Sequence, residues 1–177
     1  MKGKIFLAIF ISILMVSSIL GIITYSGSDS NSQSLDYYGT SFEVINGKYY
    51  LEFEGKNYLF DNSPYDLENV QAGDFALNSN KYYILFNPDE RDNNMEYFIQ
   101  KLYLTLNSRG YEVQLACDRE ENCDVSLPIK SCSDNAFYIK KSGDAKVYKE
   151  DNCFVLEGDD SELNRLVDKV DLKILGL

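Results

Sequence analysis

The chain contains no histidine. That absence removes Ser-His and Cys-His nucleophile activation, imidazole acid–base chemistry and every histidine-ligated zinc or iron site. No CxxC occurs, so neither a zinc ribbon nor a dithiol redox motif is supported. Tryptophan is absent and prolines number only three. Basic residues are scarce, 17 against 28 acidic ones, for a net charge of −11. Two of them, Lys2 and Lys4, precede a long apolar run and every acid follows it. The remainder therefore carries 15 basic against 28 acidic residues, net −13. Such a surface repels polyanions, which argues against DNA or RNA as a partner. With 45% hydrophobic and 25% charged residues the composition is that of a globular protein without internal repeats. Nothing in it implies a cofactor.

What is present begins with an address. Residues 1–4, "MKGK", read as a cytoplasmic tip. Ile5–Thr24 follows, twenty residues without a charge. As a helix this segment spans ~30 Å, the thickness of a bilayer's hydrocarbon core. A transmembrane anchor is expected over 5–24; the alternative is a signal peptide cleaved after Ser26, with Thr24 at the −3 place. Lys2 and Lys4 put the N-terminus in the cytoplasm, so both alternatives export residues 27–177. The expected location is the cell membrane, crossed once, with the C-terminal domain outside the cytoplasm. A Ser-rich tether, 25–36, then leads into an extracytoplasmic domain, 37–177.

Four cysteines, Cys117, Cys123, Cys132 and Cys153, lie in the exported part. Thiols outside the cytoplasm tend to oxidise, and the number is even. Two disulfides are expected, with a four-cysteine metal site as the alternative. Of the three possible pairings, Cys117–Cys123 and Cys132–Cys153 are favoured. Cys117 ends a strand from which a short acidic loop returns to Cys123. Cys132 precedes one strand and Cys153 opens another, so strand pairing would join them.

The folded part opens as antiparallel strands. "TSFEVI" runs to Asn46-Gly47, a strong hairpin signal. "KYYLEF" alternates, with Tyr49, Leu51 and Phe53 on one face. "EGK" turns the chain into "NYLF", completing a three-strand meander, 41–60, that must pack on the rest. In the connector that follows, Leu67 and Val70 would dock a short helical turn. "KYYILF", Lys81–Phe86, is nearly continuous apolar sequence, as in a central strand. Met95, Phe98, Ile99, Leu102, Tyr103 and Leu106 recur at helical spacing. Asp89 or Asp92 would cap that helix at its start, with Gly110 just past its end. The strand "YEVQLAC" completes a right-handed parallel crossover. Strands "AFYIKK", "KVYKE" and "CFVLEG" follow, and then a helix with a capping box at Asp159 and Glu162. Leu163, Leu166, Val167, Val170 and Ile174 form its apolar stripe. The predicted class is α+β, an α/β sandwich: one N-terminal transmembrane helix, an antiparallel β-meander, then a β-α-β-β-β-α mixed-sheet core, 81–177, stapled by disulfides.

From Lys81 onward this order resembles a thioredoxin-type arrangement whose second helix is replaced by the cysteine loop. The resemblance implies the fold without redox chemistry, because the loop at 87–94 has no cysteine. Leu127-Pro128 stands in for that family's cis-proline. The pairing of "LPIKSC" with "KVYKEDNCFVLEGDDSELNRLVDKVDLKILGL" is similar to small membrane-anchored exported archaeal proteins of unknown function, over residues 36–177. That resemblance implies an exported, cysteine-stapled domain and brings no catalytic residues.

Three candidate sites emerge. The loop "NPDERDNN" follows a central strand and opens a helix, where open α/β sheets bind ligands. Its Asn87, Asp89, Glu90 and Asp92 are candidates for a hard cation such as calcium. The EF-hand spacing fails there, with Arg91 at the third place from Asp89 and Tyr97 at the sixth from Asp92; a plain helix cap is the alternative. "EGDDSE", Glu157–Glu162, offers paired carboxylates of the kind that cut glycosides, or again a helix start favoured by the dipole. The tyrosine pairs Tyr37-Tyr38, Tyr49-Tyr50 and Tyr82-Tyr83 would each expose one ring to a glycan or protein, or else fill the core. The expected function is that of a non-enzymatic, membrane-tethered domain binding another envelope protein or a glycan. The alternatives are an exported enzyme using carboxylates or a divalent cation, a calcium-binding factor, or a degenerate thioredoxin-like protein.

Overall fold

The structure is a computed structural model that describes residues 33–73 and 76–177. The expected cytoplasmic tip, the expected anchor at 5–24 and the expected tether up to residue 32 lie outside the described residues. Among the described residues no helix is long and apolar enough to cross a membrane.

The meander has four strands, one more than expected. They are β1 (Gln33–Tyr37), β2 (Thr40–Ile45), β3 (Lys48–Phe53) and β4 (Lys56–Phe60), side by side in that order. Residues 33–36, expected in the tether, belong to β1. Its serine-rich surroundings masked it, since β1 carries only Leu35 and Tyr37 to bury. Three alike turns fold the sheet: Tyr38-Gly39, Asn46-Gly47 and Glu54-Gly55. Both residues of each have positive φ, 49° to 52° and then 73° to 84°. Such turns match the right-handed twist of the strands they join, and glycine takes the second place without a Cβ clash. β3 pairs with β4 in the register Leu51↔Tyr58, which sends Leu51, Tyr58 and Phe60 inward with Phe42.

The second sheet holds β5 (Lys81–Phe86), β6 (Glu112–Cys117), β7 (Ala136–Lys141), β8 (Lys146–Glu150) and β9 (Cys153–Gly158). Its order is β6-β5-β7-β9-β8, with only β8 antiparallel. β7 and β8 are consecutive in sequence but not neighbours, because β9 inserts between them. All six residues of β9 are buried, as befits a strand covered on both faces. The Leu127-Pro128 peptide is trans.

Helix α1 (Asn93–Ser108) links β5 to β6, and α2 (Asp160–Leu175) follows β9. Asp92 caps α1 through Met95 N at 2.9 Å, and Asp159 caps α2 through Glu162 N at 2.9 Å. The stripes expected from sequence face Ile84, Phe86, Phe137, Ile139 and Leu156 of the mixed sheet in one core. α2 has a second apolar edge, Leu172 and Leu175, which packs with Phe42, Leu51, Phe60 and Leu67 of the meander side. The helix layer thus lies between two sheets, where sequence periodicity implies a two-layer sandwich. Leu67 is buried, and Val70 donates its N–H to Leu67 O in the helical turn expected there.

The disulfides are Cys117–Cys123 and Cys132–Cys153, the favoured pairing, and no described cysteine is free. Cys153 stands beside Ala136 in the β7–β9 register, and that pairing brings Cys132 within reach. The second bridge lies on the face of the mixed sheet away from the helices, with Leu85, Ala136 and Val155.

Candidate functional site

The crevice at the carboxyl ends of β5 and β7 is the position the fold favours for a ligand. Its acids point at protein donors instead of at one another. Asn87 accepts from Asp89 N at 3.0 Å and donates to Glu90 Oε1 at 2.9 Å. Glu90 Oε2 then accepts from Lys141 N at 3.0 Å, closing the crevice with its own carboxylate. Asp89 accepts from Asn122 at 2.6 Å. Asp92 receives the α1 amide on one oxygen and Lys141 Nζ, at 2.6 Å, on the other. Those donors, Lys141 foremost, hold its carboxyl below the ordinary aspartate value. Among the described residues no group of three or more acids or cysteines is arranged to hold a metal ion.

The "EGDDSE" segment is likewise engaged. Glu157 accepts from the Tyr148 hydroxyl at 3.0 Å and faces Lys146 at 3.3 Å. Asp160 takes Lys141 Nζ at 2.6 Å, and Glu162 lies 3.4 Å from Arg165. Of the tyrosine pairs, Tyr38 is 79% exposed beside buried Tyr37, and Tyr50 is partly exposed. Tyr37 packs edge to face against both Tyr38 and Tyr65, with centroids 4.8 and 5.1 Å apart, and Tyr38 and Tyr65 lie tilted at 6.4 Å.

A different set of residues converges in the seam between the meander and the helices. Lys101, on α1, donates to Asp168 of α2 and, at 3.2 Å, to Asp61 just past β4. Asp168 also accepts the backbone N–H groups of Asp61 and Asn62, each at 2.9 Å, and Asn62 Nδ2 at 2.8 Å. Asp61 further accepts from Lys48, from Tyr97 at 2.7 Å and from Asn164 at 3.1 Å. Burial pushes the Asp61 carboxyl up, but its donors, Lys48 first, outweigh that and hold it far below the ordinary range. Burial and the Asp61 charge push the Tyr97 phenol the other way.

Asp171, one turn along α2 from Asp168, is 1% exposed, and its Oδ1 has no hydrogen-bond partner. Burial pushes its carboxyl up to about 7; Lys101 pulls it down and Asp168 adds to the rise. Asp171 is part of the wall of a cleft of about 270 Å³ between β4 and α1. The strand contributes Asn57, Tyr58, Leu59 and Phe60; the helix contributes Tyr97, Gln100, Lys101, Leu104 and Thr105. The cleft is mainly apolar with a few polar groups, the usual composition of a binding site, and it sits at the low end of the usual size.

Sequence periodicity passed over this seam. Lys101 follows Phe98 by three positions, so it lies on the buried stripe of α1. Asp168 and Asp171 are interleaved with the apolar positions of α2. A charge at a stripe position was the available signal. No protein-family description, curated protein or solved structure matches this chain.

Proposed function

We propose that the protein is a membrane-tethered, extracytoplasmic binding domain without a reaction of its own, engaging another envelope protein or a glycan. Residues 5–24 act as its anchor. The observation that carries this is the state of the cysteines: all four are joined in two disulfides, as an oxidising compartment favours. The twenty uncharged residues after Lys4 supply the route there. The absence of histidine and the engagement of the crevice acids by protein donors favour binding over chemistry. Alkylation of the membrane-expressed full chain tests it. No reactive thiol before reduction and four after it is the expected result; four reactive thiols without reductant overturn it.

A second function, an exported enzyme using carboxylates, draws on one observation, the buried Asp171 with its carboxyl raised to about 7 at the cleft wall. It predicts hydrolysis of some glycan or ester that Asp171→Asn abolishes. A panel of chromogenic glycosides and esters left intact by the full chain counts against it.

A further inference from the structure

β4 closes one side of the meander: β3 pairs with one of its edges, and among the described residues no strand pairs with the other. In a strand, every second residue turns its N–H and C=O toward a given edge, so the outer edge of β4 presents backbone groups for pairing. The cleft runs along that edge. Four consecutive residues, Asn57 to Phe60, line it, although neighbouring side chains point to opposite faces of the sheet. A space alongside the strand meets residues of both faces in succession. The facing wall is a stripe of α1 at positions 97, 100, 101 and 104. Leu59 and Leu104 stand at its rim, 37% and 57% exposed. At one end Lys56 and Tyr58 hold Ser108 at the end of α1, the second at 2.8 Å. At the other end Tyr97 and Lys101 hold Asp61. The helix and the strand are thus clasped at both ends, with the cleft between them.

We propose that this cleft takes up an extended segment of a partner polypeptide, about four residues long and alternating basic with apolar, which adds to β4 as a fifth strand of the meander. The proposal presupposes the binding-domain function above and names its site and partner class. The apolar alternation follows from the cleft lining, which receives the inward side chains. The basic alternation follows from charge. Outward side chains would continue the rows Tyr50–Leu59 and Glu52–Asn57, on a face that carries Glu43 and Glu52. Among the described residues neither acid has an ion-pair partner, whereas Lys101 and Lys48 are engaged by Asp61 and Asp168. The exported part as a whole is net −13. The β4 edge of a second copy does not fit, because it is flanked by its own α1.

The test uses the full chain and a fluorescent hexapeptide amide, Lys-Val-Lys-Val-Lys-Val. Three comparison peptides accompany it: the block sequence Lys-Lys-Lys-Val-Val-Val, an acidic Glu-Val-Glu-Val-Glu-Val, and the alternating peptide N-methylated at every second amide. Saturable binding of the alternating peptide alone is expected, with slower hydrogen exchange at β4 amides. Leu104→Lys, an exposed change that leaves the core untouched, should weaken it roughly tenfold. Equal binding of the block or N-methylated peptide reduces the effect to charge attraction and overturns the proposal, as does an absence of binding. Thiol labelling of the same preparation separates the outcomes: a fully disulfide-bonded chain that ignores every peptide loses this site and keeps the extracytoplasmic assignment.

Discussion

The Lys101 ammonium donates to the Asp168 carboxylate in the seam between the helices and the meander, where the Asp168 side chain is wholly buried and that of Lys101 nearly so. The pair ties α1 to α2, and through Asp61 and Asn62 it ties both helices to the end of β4. Removing the cation leaves two carboxylates short of a partner in a dry seam. Lys101→Met should therefore cost about 3–5 kcal/mol, measured by urea unfolding. Replacing both partners, Lys101→Met with Asp168→Leu, should recover part of that loss, because no unpaired charge then remains at that pair.

Asp171 sets a pH dependence of opposite sign to that of most carboxylates. Its ordinary value is 3.8 and its folded value about 7, so the folded chain holds a proton that the unfolded chain releases. Its stabilising effect is complete below pH 3.8 and is lost as pH rises to about 7, at roughly 1.4 kcal/mol per pH unit within that window. Asp61, whose folded value is lowered, acts the other way and costs stability only as the pH falls below the ordinary aspartate range. Thermal unfolding of Asp171→Asn across this range should show a flatter profile than the parent, with the variant the more stable above pH 7. Parallel profiles would mean that Asp171 does not titrate there.

The two disulfides close loops of different length, with sequence separations of 6 and 21. In the chain-entropy account, losing the shorter one costs about 2 kcal/mol and losing the longer about 3 kcal/mol. The double serine variant at Cys132 and Cys153 should thus unfold at lower denaturant than the one at Cys117 and Cys123. The longer bridge also joins the start of β9 to the segment before β7, so its loss is felt in the middle of the sheet.

The crevice acids act as caps and braces. Asp92→Ala removes the α1 cap and the Lys141 ion pair, and should cost about 1 kcal/mol, most of it from the cap. Asp89→Ala, at an exposed pair, should change stability by less than about 0.5 kcal/mol. Melting curves in calcium and in chelator should coincide; a calcium-dependent rise in Tm abolished by Glu90→Gln would restore a cation role to the loop.

Local features of the fold were legible in the residues themselves. Turn chemistry at Asn46-Gly47 and Glu54-Gly55, the stripes of both helices and the caps at Asp92 and Asp159 all follow from spacing over a few residues, while the pairing of the cysteines was favoured from the expected strand order. β1 escaped because a strand with two residues to bury, set among serines, has almost no pattern of its own. It is held by the neighbour that pairs with it.

Residue type and near spacing were enough for the element types and their order from Lys81 onward and for the acidic, histidine-free chemistry. Only the tertiary structure decided that β9 separates β7 from β8, that the helices lie between two sheets, and that Asp61, Lys101, Asp168 and Asp171 meet. Residues more than a hundred positions apart, such as Asp61 and Asp168, come together through the packing of one sheet on one helix face. That packing depends on the sum of many weak apolar contacts and leaves no periodic trace in the chain. The outer edge of β4 has the same origin: among the described residues no strand pairs with it, and that depends on the folded arrangement.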